Sequence, residues 1–383
     1  MDWTGHAARL ADQVTHRGSR WGLPVAGTPR HLLVPRWWDS RDQREWTLRD
    51  GPTGEPGWMR AAYSDETLVT EVGGFHADHA ESGQQPPPLG RATSSSTMPS
   101  LVVRMLDHTQ IFDNADVLDV ATGSGYSTAL LTHSLGGPHV TSVDISPYLT
   151  AAAQTRLHGL GQAPELITCD ATGPLPGTYD RIVSMASVRP VPASWLKALR
   201  PGGRLVTVIA GTGLILTADL TADGEWAAAG QIEWDRAWFM AARDGSGDVA
   251  TYRDVRGEID GRTGGNTSTG RYPVINVRDS WELASLLEIE APGVEHDFAE
   301  HEDGQRIAWM QHEDGSWARA RAKGKHDAPE VTQGGPRRLW DMLDGYRSYW
   351  LSHGYLQLYG ARAFIQSDGV IRLARGRWRA TIR

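Results

Sequence analysis

The chain has 383 residues, more than one hydrophobic core usually serves, so two domains are expected. Hydrophobic residues make up 40% and charged residues 22%, and the 43 glycines and 21 prolines follow no period, which excludes a fibrous protein. A formal charge of −8 argues against a nucleic-acid backbone as partner, and no run of about 18 apolar residues is present to span a membrane. Cys169 is the single cysteine, so no disulfide can form within the chain, which fits a reducing cytoplasm. Met1 to Val14 carries Asp2, His6, Arg9 and Asp12 and lacks the unbroken apolar run of a signal peptide. A cytoplasmic monomer is the expectation.

Residues 1–90 read as an irregular N-terminal module rich in Trp, Gly and Pro. Ala7 to Gln13 is amphipathic, Tyr63 to Val72 suggests a short extended piece, and Gln84 to Leu89 is a loop. His76 and His79 have a possible metal spacing, but no third ligand is evident, so a solvated loop and no metal are expected.

Over residues 91–245 strands alternate with helices. Pro99 to Leu106 puts Leu101, Val102, Met105 and Leu106 on one helical face, with Thr97 or Ser96 as N-cap. Then come a strand at Val117 to Val120, a helix from Tyr126 to Leu135 stopped by Gly136, and a strand at Val140 to Val143. A helix from Tyr148 to Leu160, strands at Leu166 to Thr168 and Asp180 to Met185, a helix from Ala193 to Leu199 and a strand from Arg204 to Ile209 follow. Repeats of this length imply an α/β fold with a doubly wound, Rossmann-like parallel sheet. Leu214 to Trp234, turning at Ala222-Asp223-Gly224, reads as an edge hairpin.

After about residue 245 the alternation stops. Pro336 to His353 is an amphipathic helix ended by Gly354, and Ala363 to Leu373 is a hairpin turning at Ser367-Asp368-Gly369. Residues 246–383 are expected to form an additional C-terminal α+β domain, so a chain ending near 245, if it folds, should keep its cofactor and lose its peptide. The sixteen tryptophans are expected chiefly in cores, with a few able to line a peptide groove.

The segment Asp119-Val120-Ala121-Thr122-Gly123-Ser124-Gly125-Tyr126 carries the chemistry. A hydrophobic strand enters a Gly-rich turn and then a helix, where doubly wound sheets bind ligands. No Lys stands beside the loop for a triphosphate, and Thr128 replaces the third glycine a dinucleotide loop wants. Asp119 would repel a pyrophosphate but suit the ammonium of a methionine moiety. Asp144, with Ile145 after it, can take ribose hydroxyls, and Asp170, with Ala171, an adenine amino group. These residues point to S-adenosylmethionine.

Residues from about 60 to 215 resemble the protein-L-isoaspartate O-methyltransferase family. The matching runs are Thr93 to Pro99 with Val103-Arg104-Met105-Leu106, Asp119 to Leu131, Val143-Asp144, Cys169-Asp170, Tyr179 to Val183, Val191-Pro192 and Leu199 to Leu205. The resemblance implies a carboxylate acceptor on a peptide or protein carrying Asp or isoAsp. It places Thr97, with Ser96 beside it, where the family has a catalytic serine in a Ser-x-Pro motif. Ser187, Val188 and Arg189 depart from the family's alanine-rich segment and are expected to meet the substrate. Two functions follow: esterification of an Asp in a ribosomally made peptide such as a lanthipeptide, giving isoAsp through a succinimide, or housekeeping repair of isoaspartyl residues. A cofactor-gated peptide-binding module without turnover is the non-enzymatic alternative.

Overall fold

The computed structural model describes residues 2–40, 45–88, 90–222, 225–243 and 253–383. Leu89, part of the turn expected at Ala222-Asp223-Gly224, the boundary expected near 245 and the start of the polar run from Asp244 lie outside the described residues.

Ten strands form the central sheet, numbered here in chain order: β1 (Val117–Val120), β2 (Val140–Asp144), β3 (Glu165–Thr168), β4 (Tyr179–Val188), β5 (Leu199–Ile209), β6 (Leu214–Leu220), β7 (Ala228–Arg236), β8 (Arg362–Ile365), β9 (Ile371–Arg375) and β10 (Trp378–Ile382). Their spatial order is β10-β9-β8-β7-β6-β5-β4-β1-β2-β3. β1 pairs in parallel with β2 and β4, β2 with β3, and β4 with β5. The pairs from β5 outward to β10 are antiparallel. All four residues of β1 are buried, as a strand covered on both faces requires. Helix α1 (Pro99–His108) leads into β1, α2 (Tyr126–Leu135) carries β1 to β2, and α3 (Pro147–Gly159) carries β2 to β3. Gly136 ends α2 at φ 87°, and the Ser146 hydroxyl caps α3 by accepting from the Leu149 N–H. The doubly wound sheet read from the sequence is therefore present, continued by an antiparallel half.

The N-terminal module is more regular than expected. Five short strands, ending with Ala92–Ser96, form their own sheet, and that last strand pairs with Leu68–Val72 across the boundary expected at 90. Trp21, Trp37 and Trp58 share one core with Leu101, Met105 and Leu130 of α1 and α2, so this module closes one face of the central sheet.

An additional C-terminal α+β region is present, but the last strands expected in it lie elsewhere. β8, β9 and β10 belong to the central sheet, with Ala228 facing Ile365 and Gln231 facing Arg362. Leu356, Leu358, Ile371, Leu373 and Ile382 lie in the same core as Leu118 and Trp195. Gly369 locks the hairpin onto the catalytic half. Its φ of 89° suits only glycine, its carbonyl accepts from the Val191 N–H, and a Cβ there would stand 1.7 Å from the Val191 carbonyl oxygen. What lies between β7 and β8 is an insert with a second five-stranded antiparallel sheet, together with helices α4 (Trp281–Glu290) and α5 (Leu339–His353). α4 joins the two bodies: Leu283, Leu286 and Ile289 pack in the central core while Leu287 packs in the insert's.

Candidate active site

The parallel half delivers its acids to one edge. The Ala121 and Thr122 N–H groups both donate to the Val143 carbonyl, folding the loop after β1 over the end of β2. Ala121 sits at φ 71°, a left-handed conformation that costs a non-glycine residue energy and gathers at functional loops. Gly123 (φ 51°) runs past the end of the Ala92–Ser96 strand, where a Cβ would come 3.2 Å from the Ser95 carbonyl oxygen. Gly125 (φ 83°) opens α2 against Ala153 of α3.

Asp144 is the hub of this edge. Its carboxylate accepts from the Gly123 N–H at 3.0 Å and the Ser146 N–H at 3.0 Å, and the Cys169 N–H donates to its carbonyl. Burial pushes its carboxyl above the usual range, and the neighbouring Glu71 adds to that shift. Asp170, half-buried, spends one oxygen on the Thr172 N–H and hydroxyl, at 2.8 and 2.7 Å. The Cys169 thiol between these acids is pushed up by burial, then by Asp170 and Asp144, which suits packing rather than nucleophilic work. Ile145 and Ala171 are half-buried beside them, and the Ala171 carbonyl accepts from Trp195 Nε1 at 2.7 Å.

Asp119 behaves differently from expectation. It is fully buried, and Oδ2 accepts from the hydroxyls of Ser127 (2.9 Å), Thr128 (2.7 Å) and Ser142 (3.2 Å). It therefore braces the start of α2 against β2 from beneath the loop. Oδ1 is buried without a hydrogen-bond partner among the described residues, and burial pushes the carboxyl up to about 6. The side chains of Thr122, Ser124 and Tyr126 are buried too, so this loop offers a ligand its backbone.

The segment expected to face the acceptor lies beside the loop. Thr97 follows the strand that Gly123 touches, and its half-buried hydroxyl has no hydrogen-bond partner among the described residues. Neither Thr97 nor Ser96 caps α1. Met98 holds that position, and Asp65 Oδ1 instead receives the Ser100 N–H at 2.8 Å. Ser96 is fully buried, with its hydroxyl accepting from Arg30 Nε at 3.2 Å.

Sequence reasoning missed Arg30. Fully buried, it donates to the carbonyls of Ala62, Ser64, Glu66, Ser96 and Thr97 as well as to the Ser96 hydroxyl. Burial lowers its guanidinium to about 10. Glu71 and Arg243 were missed as well. Glu71 accepts from the Thr93 hydroxyl at 2.6 Å and lies 3.7 Å from Arg243, and both charges act on Asp144. A buried Glu in the apolar run Leu68 to Val72 was the one signal available.

Three expectations at the substrate side are corrected. Ser187 is buried: its hydroxyl donates to the Phe239 carbonyl and its N–H to the Met240 carbonyl, so it anchors the segment after β7. Val188 is core. Arg189 is mostly buried and lies 3.4 Å from Glu288 on α4, so its charge is already answered. In the loop holding His76 and His79, His76 is buried while His79 stays exposed. Both rings pack on Tyr148 of α3, at 4.9 and 4.2 Å between centroids, and Asp78 between them accepts from Tyr148 and Arg156. Among the described residues no group of side chains is placed to hold a metal ion.

The model of the protein-L-isoaspartate(D-aspartate) O-methyltransferase (PCMT) family matches residues 76–227. A protein-L-isoaspartate O-methyltransferase of Azorhizobium caulinodans is 36% identical over 116 residues, 30% of this chain and 52% of that protein. One from Anaeromyxobacter dehalogenans is 40% identical over 151 residues, 38% of this chain and 66% of that protein. The chain thus spans between half and two thirds of the length of these curated relatives. Among solved structures, a protein-L-isoaspartate O-methyltransferase aligns over 100% of this chain and 99% of its own, at 15% identity and a TM-score of 0.47. A Plasmodium falciparum protein described as a PCMT in complex with S-adenosyl-L-homocysteine covers 64% of this chain and all of its own, at 11% identity and a TM-score of 0.44.

Proposed function

We propose that the chain is an S-adenosylmethionine-dependent O-methyltransferase that esterifies an isoaspartyl carboxylate on a peptide or protein. The observation that carries this reading is the meeting of two parts. A strained glycine loop is tied to a buried Asp144, and it lies against the strand that presents an unpartnered Thr97 hydroxyl. The residues fit the cofactor: Gly123 leaves room that a Cβ would fill, and Asp119 Oδ1 is a buried, unanswered acceptor whose charge a cationic ligand on the loop would offset. Asp144 and the loop N–H groups would hold it, with Asp170 nearby. When bound, the cofactor supplies an electrophilic methyl group.

The acceptor carboxylate, with an ordinary pKa near 4, is already ionised at neutral pH, so no base is required of the chain. The work left to the protein is positional. Thr97 donates its hydroxyl hydrogen to one carboxylate oxygen and turns the other toward the loop. Arg30 holds the Ser96-Thr97 backbone in place. The product ester is an activated acyl group; the next backbone nitrogen of the peptide attacks it, loses its proton and expels the methoxy group as methanol, closing a succinimide.

A second reading, esterification of Asp in a dedicated ribosomal peptide such as a lanthipeptide, is favoured by Thr97 in place of serine and by the insert between β7 and β8. The family match and the relatives' names favour repair. The test supplies labelled cofactor with paired isoAsp and Asp peptides of one sequence. Methyl incorporation on isoAsp alone supports repair, and incorporation on Asp supports tailoring. No incorporation into either, with S-adenosylhomocysteine still bound, would overturn the carboxylate acceptor. Thr97→Ser should keep activity while Thr97→Ala loses most of it.

A further inference from the structure

β7 runs in the same direction as β5, β4 and β1, because two antiparallel pairings separate it from β5. Its last residues, Trp234 to Arg236, therefore lie at the carboxyl edge of the sheet, the edge that carries the glycine loop. A cavity of about 440 Å³ opens there, walled by the end of β7, the start of α4, and Trp350 and Tyr359.

Its lining is aromatic, with Arg104 and Arg236 in the wall and Arg375 flanking it at the Trp234 ring. Trp234 is 69% exposed and stacks near Tyr359, Arg375 lies 5.0 Å from the Trp234 ring, and Arg236 lies 4.7 Å from the Trp281 ring. Large exposed aromatics gathered on one surface mark binding sites rather than solvent-facing decoration. Arg104, Arg236 and Arg375 have no carboxylate partner among the described residues. Against them stand Asp235, held by His108, and Glu282. With Arg375 at the Trp234 ring, three arginines to two acids leave one excess positive charge around the mouth, a local feature in a chain of net charge −8. Four strand spacings of ~4.8 Å separate β7 from β1, roughly 19 Å along the edge. An extended peptide crosses that distance in about six residues. The chain itself bridges the interval: residues 239–242 bond to Ser187 at the end of β4, and Arg243 reaches Glu71 beside Asp144.

We propose that this aromatic and arginine-lined groove binds an acidic stretch of the peptide substrate, about six residues from the carboxylate that is methylated. The inference rests on the peptide carboxyl-methyltransferase reading and adds to it a preference for sequence outside the reacting residue. Arginines already stacked on aromatic faces are preorganised to meet carboxylates, and the rings between them cover the aliphatic stems of Glu side chains.

The test uses the full chain saturated with S-adenosylhomocysteine. The probes are fluorescein-labelled peptides carrying one isoAsp and, six positions away on either side, three Glu or three Gln. The Glu peptide of one polarity should bind roughly tenfold more tightly than its Gln counterpart, a preference that weakens with added salt. Trp234→Ala, at an exposed position, and the double variant Arg236→Gln/Arg375→Gln should each erase the preference. S-adenosylhomocysteine affinity by calorimetry checks that the variants fold. Equal binding of the Glu and Gln peptides, or a preference that survives both variants, overturns the groove. Methyl transfer to the same peptides separates the two readings. Methylation without a Glu preference sinks the groove and keeps the enzyme. A Glu preference without methylation of any peptide keeps the groove and sinks the carboxyl acceptor.

Discussion

The guanidinium of Arg30 lies 5.3 Å from the ring centroid of Tyr126, the first residue of α2 after the glycine loop. One buried side chain from the N-terminal module thus touches the start of α2 beside the glycine loop with its face and the Ser96-Thr97 backbone with its edge. The buried Tyr126 hydroxyl has no hydrogen-bond partner among the described residues, and burial pushes it up to about 12. The ring is held by packing and by the cation above it.

Replacing Arg30 removes donors from several buried carbonyls at once. Arg30→Met should destabilise the protein by about 3–5 kcal/mol, the scale for breaking a buried charged network. Arg30→Lys should recover only part of this, because a point charge cannot match a planar fork of five N–H groups. Thermal and urea denaturation read the loss. A Lys variant as stable as wild type would show that charge alone, without the fork, holds the segment.

Asp144 bonds the loop as well as facing the expected ribose. Asp144→Ala should weaken S-adenosylhomocysteine binding by about 1.5–3 kcal/mol, tenfold or more in affinity. Asp170→Ala should do less, since one Asp170 oxygen is already spent on Thr172. Isothermal calorimetry on both variants ranks them, and the reverse ranking would move the ligand toward β3.

Much of the catalytic half was legible because its signals are local. β1 and β2 are buried along their whole length and each is followed by a helix of 10 or 13 residues, β1 after a glycine turn. What could not be read involves partners distant in sequence. Arg189 looks free until Glu288, 99 residues on, is folded against it. Ser187 looks exposed until the chain returns at Phe239 to cover it. Arg30 has no signature at all, because a guanidinium satisfied by carbonyls needs no acidic residue in any pattern. The hairpin ending at Leu373 was visible as a hairpin, but nothing local names β7 as its neighbour.

The buried Asp119 makes a pH-dependent contribution whose sign follows from its shift. Its folded value of about 6 stands above the ordinary 3.8. Between about pH 4 and pH 6 the folded chain keeps a proton that the unfolded chain has lost. This term therefore stabilises the fold at low pH and fades as pH rises through about 6, by at most about 3 kcal/mol. Asp144, also pushed up by burial, adds in the same direction. Asp119→Asn, which cannot ionise, should gain on wild type as pH increases across this window. Denaturation midpoints measured from pH 4 to pH 7 check it, and parallel profiles would mean that the carboxyl is not desolvated as the fold implies.

The sheet order also changes what truncation should do. A chain ending near residue 245 would keep every residue of the glycine loop, which is why the sequence suggests that it would bind cofactor if it folds. It would also lose β8, β9 and β10, leaving the Ala228 to Gln231 backbone of β7 without its ladder. Leu358, Ile365, Ile371 and Ile382, all fully buried, would leave the central core with them. Each such side chain contributes about 1.5–3 kcal/mol by burial, and a domain's whole margin is about 5–15 kcal/mol. The truncated chain should therefore be insoluble or show no cooperative thermal transition by circular dichroism, and should bind no S-adenosylhomocysteine. Removing only Trp378 to Arg383 cuts the edge strand β10 and takes one fully buried side chain, Ile382, so that shorter chain should fold with a lowered transition temperature. A soluble, cofactor-binding chain ending at 245 would show that the parallel half stands without its antiparallel extension, and that the C-terminal strands serve the substrate rather than the fold.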